Sequence, residues 1–238
     1  MTPEETQHSA ETFYRDYWVG QEEVRKKRNY YDRLYGRLKH RIEWKQDWKI
    51  LDVAGGNGQL MQYFNIPQAD ILDISRSGLA AAKCSGYRTI FGDIQKRFPI
   101  AENTYDAAFL FEVLEHLPYP NKTLSETHHV LKRGGVLYVG QPNMRADGVH
   151  HVRRYYQGPL LEDLEKAGFL IEWIDYVPAY SMPEAILSDI HRNPSWIRKA
   201  IQSCNLILSL FPHSVRYRMA KTVPDRFALL FVVKAVKR

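Results

Sequence analysis

The chain is expected to fold as an α/β protein: a mostly parallel seven-stranded sheet with helices on both faces. Three observations predict it. Seven strand-length apolar runs recur along the 238 residues. Several are apolar throughout rather than alternating, the pattern of strands covered on both faces. Helix-like segments separate them, and strand-helix-strand alternation implies right-handed crossovers between parallel strands.

Taken in order, the strand runs are KILDV (49–53), ADILDI (69–74), YRTIF (87–91), YDAAFLF (105–111), GVLYVG (135–140), LIEWIDYV (170–177) and RFALLFVVKAV (226–236). Helices are expected at SGLAAAK (77–83) and NKTLSETHHVLKRGG (121–135). The second has Lys132 and Arg133 in its last turn and Gly134-Gly135 as a stop. A further helix, LLEDLEKAGF (160–169), ends at Gly168. Upstream, residues 10–44 are aromatic and charged, with Tyr31, Leu34, Leu38 and Ile42 at helical spacing beside Arg25-Lys26-Lys27-Arg28. The expected organisation is a helical N-terminal extension (1–46), a core (47–177), a helical insertion (178–225) and a closing strand (226–238).

Composition narrows the function classes. Hydrophobic residues make up 45% and charged residues 25%, ordinary for a soluble globular chain. No apolar run is long enough to cross a bilayer, and MTPEETQHSAETFYRDYW has no signal-peptide pattern. Cys84 and Cys204 offer no C-x-x-C spacing, which points to a reducing, cytoplasmic setting. A net charge of +6 permits an anionic partner without requiring one.

The stretch ILDVAGGNG (50–58) puts a glycine-rich turn directly after a strand, where backbone must approach something closely. In an open α/β sheet, ligands bind at the carboxyl ends of the strands. A dinucleotide fingerprint needs a third glycine, but that position is Met61, and the Gly-Lys-Ser/Thr of a phosphate loop is absent. Dinucleotide binding and phosphate cradling are both disfavoured.

LDVAGGNG resembles the first motif of class I S-adenosylmethionine-dependent methyltransferases, L-D-x-G-x-G-x-G, with Ala54 where the first glycine is usual. Asp73, ending the second strand in LDIS, resembles the acidic residue that holds the ribose hydroxyls. FGDI places Asp93 where the family contacts the adenine amino group, with Ile94 alongside the ring. YDAAFLFEVLEHLPYP and LKRGGVLYVGQPN resemble the fourth and fifth strands with their turns. The resemblance covers roughly residues 48–177 and implies a Rossmann-like fold, S-adenosylmethionine as cofactor, and a cofactor site drawn from Asp52, Ala54, Gly56, Gly58, Asp73, Ile74, Asp93, Ile94 and Phe111. Each piece also has a plainer reading: a glycine turn tightens a crossover, and Asp73 or Asp93 caps the next helix.

A sulfonium methyl is already activated, so proximity and alignment come first, and an oxygen nucleophile needs a base or metal as well. In Glu112-Val113-Leu114-Glu115-His116, a helical turn would place Glu112, Glu115 and His116 on one face, a set suited to magnesium or manganese. The stretch resembles the Glu-x-x-Glu-His of ubiquinone-pathway O-methyltransferases and of small-RNA 2′-O-methyltransferases. In the RNA enzymes it ligates metal together with a downstream histidine, a place matched here by His150 or His151. Without metal, His116, His150 and His151 are the candidate general bases. The absence of an Asn-Pro-Pro-Tyr motif speaks against a nucleobase amine acceptor.

HHVRRYYQGPLLEDLEKAGF (150–169) resembles a segment of methyltransferases acting on cell-surface glycans and lipids. There Arg153 and Arg154 either pair with an anionic acceptor or brace a cap. From His191 to Pro224 the chain has six Lys/Arg and no acid, with Ile197, Ile201, Cys204, Leu208 and Phe211 at helical spacing. Residues 194–211, led by Trp196, read as a cap, as a dimer contact or as a helix in peripheral contact with an anionic membrane. The expected function is methyl transfer to a hydroxyl oxygen of a small-molecule, lipid-linked or glycan acceptor. The alternatives are RNA 2′-O-methylation with a metal, where nucleic acid is disfavoured by the lack of a stacking platform, and a non-catalytic module that binds the same cofactor.

Overall fold

The computed structural model describes residues 35–142, 152, 156–178, 196, 203 and 228–238. Among them seven strands form one sheet: β1 (Ile50–Val53), β2 (Asp70–Asp73), β3 (Arg88–Phe91), β4 (Tyr105–Phe111), β5 (Leu131–Pro142), β6 (Phe169–Pro178) and β7 (Ala228–Lys237). Their order is β3-β2-β1-β4-β5-β7-β6. The first five pair in parallel, with Leu51 opposite Asp70 and Ala108. β7 inserts antiparallel between β5 and β6. All seven expected strands are present.

Side-chain alternation along each strand divides the core in two. Leu51, Val53, Leu72, Ala108, Leu110, Leu137 and Val139 face one cluster. It is closed by Leu124 of helix α3 (Pro120–Val130) and by Leu160 and Leu164 of helix α4 (Gln157–Lys166). Ile50, Ile71, Ala107, Phe109, Val136, Tyr138 and Val232 face the other. There helices α1 (Gln59–Tyr63) and α2 (Arg76–Cys84) contribute Leu60, Met61, Leu79 and Ala82. Tyr35, Leu38 and Ile42 of the N-terminal segment complete that face. Helices therefore cover both faces, and the strands are apolar because both sides of them are inside.

Two local expectations change, and one helix was not expected. The helix expected over 121–135 stops at Val130, and Leu131 is already extended (φ −73°, ψ 143°). Lys132 leaves the helix to pair with Asp106 at 2.7 Å, and Leu131 joins β5 opposite Tyr105, so tertiary pairing overrides the Lys-Arg-Gly-Gly stop signal. Residues Gly36–His40 form a 3-10 turn rather than a turn of α-helix. Helix α1, only five residues long, is too short to show a period in sequence. No helix among the described residues is long and apolar enough to cross a membrane.

Candidate functional site

The strand order reverses between β1 and β4, which opens a crevice at their carboxyl ends. The turn after β1 lies there. Its start is pinned by Ala54 N and Gly55 N, which donate to Leu72 O at 2.7 and 3.3 Å. Ala54, Gly56 and Gly58 all take left-handed backbone, with φ of 59°, 55° and 75°. Glycine does so freely, whereas an alanine costs about 1–2 kcal/mol. Ala54 therefore holds the conformation that the family's usual glycine would hold, with strain. Gly55 is required for a different reason: a Cβ there would lie 2.3 Å from Asp52 Oδ2.

Two carboxyls converge on this turn. Asp52 is buried, and its Oδ2 has no hydrogen-bond partner among the described residues. Burial, reinforced by the Asp73 charge, pushes its pKa well above the usual carboxylate range. Asp73 accepts from Gly56 N through Oδ2 (2.8 Å) and from Ser75 N through Oδ1 (2.7 Å). Burial raises its pKa despite these backbone donors. Asp73 does not cap α2, because Ser75 Oγ does so by accepting from Gly78 N. Asp93 accepts from Gln95 N at 2.9 Å in its own turn, with Ile94 buried beside it. Ile74 is half-buried, directly after β2. Phe111, half-buried at the end of β4, packs edge-on to Tyr35 at 5.2 Å.

After β4, the expected arrangement of Glu112, Glu115 and His116 on one helical face does not form. Glu112 lies before the helical turn in left-handed backbone (φ 54°), and only Leu114–His116 make one 3-10 turn. Glu112 Oε1 accepts from Tyr35 Oη at 2.5 Å, whereas Glu115 is buried with Oε2 accepting from Gln141 Nε2 at 3.2 Å. The two carboxylates thus have separate partners, on the N-terminal segment and on β5. His116 Nε2 stands 3.8 Å from Glu115 Oε1. No group of three His, Cys, Asp or Glu side chains able to hold a metal ion occurs among the described residues. Burial, with some help from the Glu112 charge, lifts the Glu115 pKa to about 8.

His150, His151, Arg153 and Arg154 lie outside the described residues, as do residues 194–211 apart from Trp196 and Ser203. Trp196 is exposed. Three residues of the crevice were not singled out in sequence: Tyr35, Gly140 and Gln141. Gly140 carried a signal, a glycine inside the apolar run GVLYVG, and the reason is that a Cβ there would meet Phe111 Cδ1 at 2.3 Å. Tyr35 and Gln141 gave none.

Comparison with known proteins agrees with this geometry. Residues 51–139 match the methyltransferase domain family. A ubiquinone/menaquinone biosynthesis C-methyltransferase, UbiE, of Agrobacterium fabrum is 35% identical over 104 residues, covering 39% of this chain and 40% of that protein. The UbiE of Sinorhizobium fredii is 31% identical over 109 residues, covering 40% and 42%. The matched part thus spans about two fifths of those relatives. Among solved structures, a methyltransferase of Thermotoga maritima superposes with a TM-score of 0.65 at 14% identity, covering 98% of this chain and 100% of that one. The [4+2]-cyclase SpnF gives a TM-score of 0.58 at 23% identity, covering 87% and 80%. At such identities the structures speak to fold alone, and the fold they share is the one built here around the glycine turn. The matched stretch, residues 51–139, is a methyltransferase domain, and the sheet order around it is that expected of the class I S-adenosylmethionine-dependent kind.

Proposed function

We propose that the chain transfers a methyl group from S-adenosylmethionine to a hydroxyl oxygen of a small-molecule acceptor bound over the turn that follows β4. The observation that carries the reading is the buried Oδ2 of Asp52, unpartnered among the described residues, beside the glycine turn and Asp73. A carboxyl left without a partner inside a protein is costly and marks a place where a ligand completes the hydrogen bonding. The donor set fits this cofactor: carboxylates for hydroxyl and ammonium groups, and a backbone turn where Gly55 leaves no room for a side chain.

In this reading the turn Ala54–Gly58 and Asp52 hold the amino-acid end, Asp73 the ribose hydroxyls, and Asp93 with Ile94 the adenine. When bound, the cofactor supplies a methyl group already activated on sulfur. The work left to the protein is alignment and exclusion of water, with Phe111 as an apolar wall. His116, a quarter exposed and close to the Glu115 carboxyl, takes the acceptor's hydroxyl proton.

A second reading is favoured by the relatives, which are named C-methyltransferases of quinone biosynthesis. Removing the proton of a ring hydroxyl makes both that oxygen and the adjacent carbon nucleophilic. The same residues would then serve carbon methylation. The test is transfer of isotope-labelled methyl from S-adenosylmethionine into a cell extract split into organic, small polar and polymeric fractions. Magnetic resonance of the product would identify the methylated atom. Label in a small molecule with an O-methyl signal is the expected result; a C-methyl signal selects the second reading. Label confined to RNA would overturn both, and a calorimetric blank with S-adenosylmethionine would overturn enzymatic methyl transfer altogether.

A further inference from the structure

We propose that Tyr35 is a positioning residue for cofactor binding, acting through Glu112 on the turn that closes the mouth of the site. The inference rests on the functional reading above. Tyr35 is fully buried, and its hydroxyl donates to Glu112 Oε1 at 2.5 Å across 77 residues of sequence. Glu112 takes left-handed backbone with φ 54°, a conformation that a non-glycine residue adopts only under strain, so the surrounding structure must enforce it. Two restraints among the described residues do so. Glu112 N donates to Gly140 O at 2.8 Å, tying the backbone to β5, and Tyr35 holds the carboxylate from the other side.

Phe111 is caught in the same clamp. Its ring meets Tyr35 edge-on at 5.2 Å, and on the β5 side it lies over Gly140, where a Cβ would overlap it. The orientation of Phe111 and the start of the turn leading to His116 therefore depend on where Tyr35 stands.

Tyr35 in turn is fixed from far away. Leu38 and Ile42 bury in the same cluster. Arg41 pairs with Asp175 at 2.9 Å and lies over the Trp173 ring at 4.3 Å. Glu43 reaches Lys234 at 3.0 Å, and its backbone N donates to Tyr138 Oη at 3.1 Å. Residues 35–43 thus form a strap anchored on β5, β6 and β7 at one end and on the site's mouth at the other. Packing explains the ring of Tyr35. The hydroxyl is explained by the hold on Glu112.

The test is calorimetric affinity for S-adenosylhomocysteine, the product form of the cofactor, with thermal unfolding followed alongside. Tyr35→Phe keeps the ring and removes the hydroxyl. It is expected to weaken binding about tenfold, the equivalent of about 1.4 kcal/mol. Glu112→Ala should show a similar loss, and the double variant should bind no more weakly than the weaker single variant, since both break one contact. A purely structural hydroxyl would lower the melting temperature and leave affinity unmoved. Unchanged affinity in Tyr35→Phe, or losses that add in the double variant, would overturn the inference alone. If Tyr35→Phe does not fold, Glu112→Ala decides by the same criterion. Failure of the unaltered chain to bind would overturn the functional reading and this inference together.

Discussion

The charges at the mouth of the site and those at the antiparallel edge of the sheet are handled in opposite ways. At the mouth, burial dominates: Asp52, Asp73 and Glu115 all have raised pKa values, and Asp52 keeps a buried oxygen without a partner among the described residues. At the edge, Lys234 and Arg41 are paired with carboxylates, although burial lowers the pKa of Lys237 farther along β7. Burial works against the Lys234 ammonium, yet Glu43 and Glu172, both at 3.0 Å, outweigh it and raise its pKa. Arg41 meets Asp175 there as well. Far from the mouth, at the start of β4, burial of Asp106 is outweighed by Lys132, and its pKa falls. These scaffold charges meet opposite charges, whereas burial outweighs the hydrogen bonds of the crevice carboxyls Asp73 and Glu115. Such unresolved polarity is what a ligand site requires and a scaffold avoids.

The contrast can be broken most sharply through Glu115. Its folded pKa of about 8 lies above the ordinary 4.5, so the native state keeps a proton that the unfolded chain releases. Its contribution is complete below about pH 4.5 and declines up to about pH 8, by about 1.4 kcal/mol per pH unit. Denaturant unfolding across that window should show Glu115→Gln gaining on the unaltered chain as pH rises and levelling above it. A parallel pair of curves would mean that Glu115 is not a frustrated carboxyl.

Next in size is Asp73→Asn. Losing a charged acceptor at the turn should weaken S-adenosylmethionine binding by about 2–3 kcal/mol, or roughly 30- to 150-fold, in calorimetry. Lys234→Met tests the satisfied side. It should lower unfolding stability by about 1 kcal/mol, because its partners Glu43 and Glu172 are largely exposed, and leave cofactor affinity unchanged. A loss of affinity there would merge the two regions into one. The smallest effect is a gain: Ala54→Gly relieves left-handed strain and should stabilise the chain by about 0.5–1 kcal/mol in thermal unfolding.

Much of the candidate site was legible because it is local. The turn of residues 52–58 and Asp73 lie within one strand-turn-helix-strand unit, and their chemistry depends on residue type and order at strand ends. The Glu-x-x-Glu-His stretch misled for the same reason. Its i, i+3, i+4 spacing describes an α-helix, but Glu112 is drawn into left-handed backbone by Gly140 and Tyr35, neither of which is near it in sequence. The end of α3 was misjudged in the same way, since the pull of Asp106 on Lys132 comes from β4, 26 residues upstream.

What the amino-acid order determined by itself is the α/β alternation, the seven strands and the glycine turn at the carboxyl end of the first of them, since periodicity and backbone permissiveness act over a few residues. Only the tertiary structure decided which charges stay unsatisfied. Lys234 finds Glu43 across 191 positions and Tyr35 finds Glu112 across 77, whereas Asp52 Oδ2 finds no partner among the described residues. Burial and partnership belong to the assembled sheet, and no local pattern carries them.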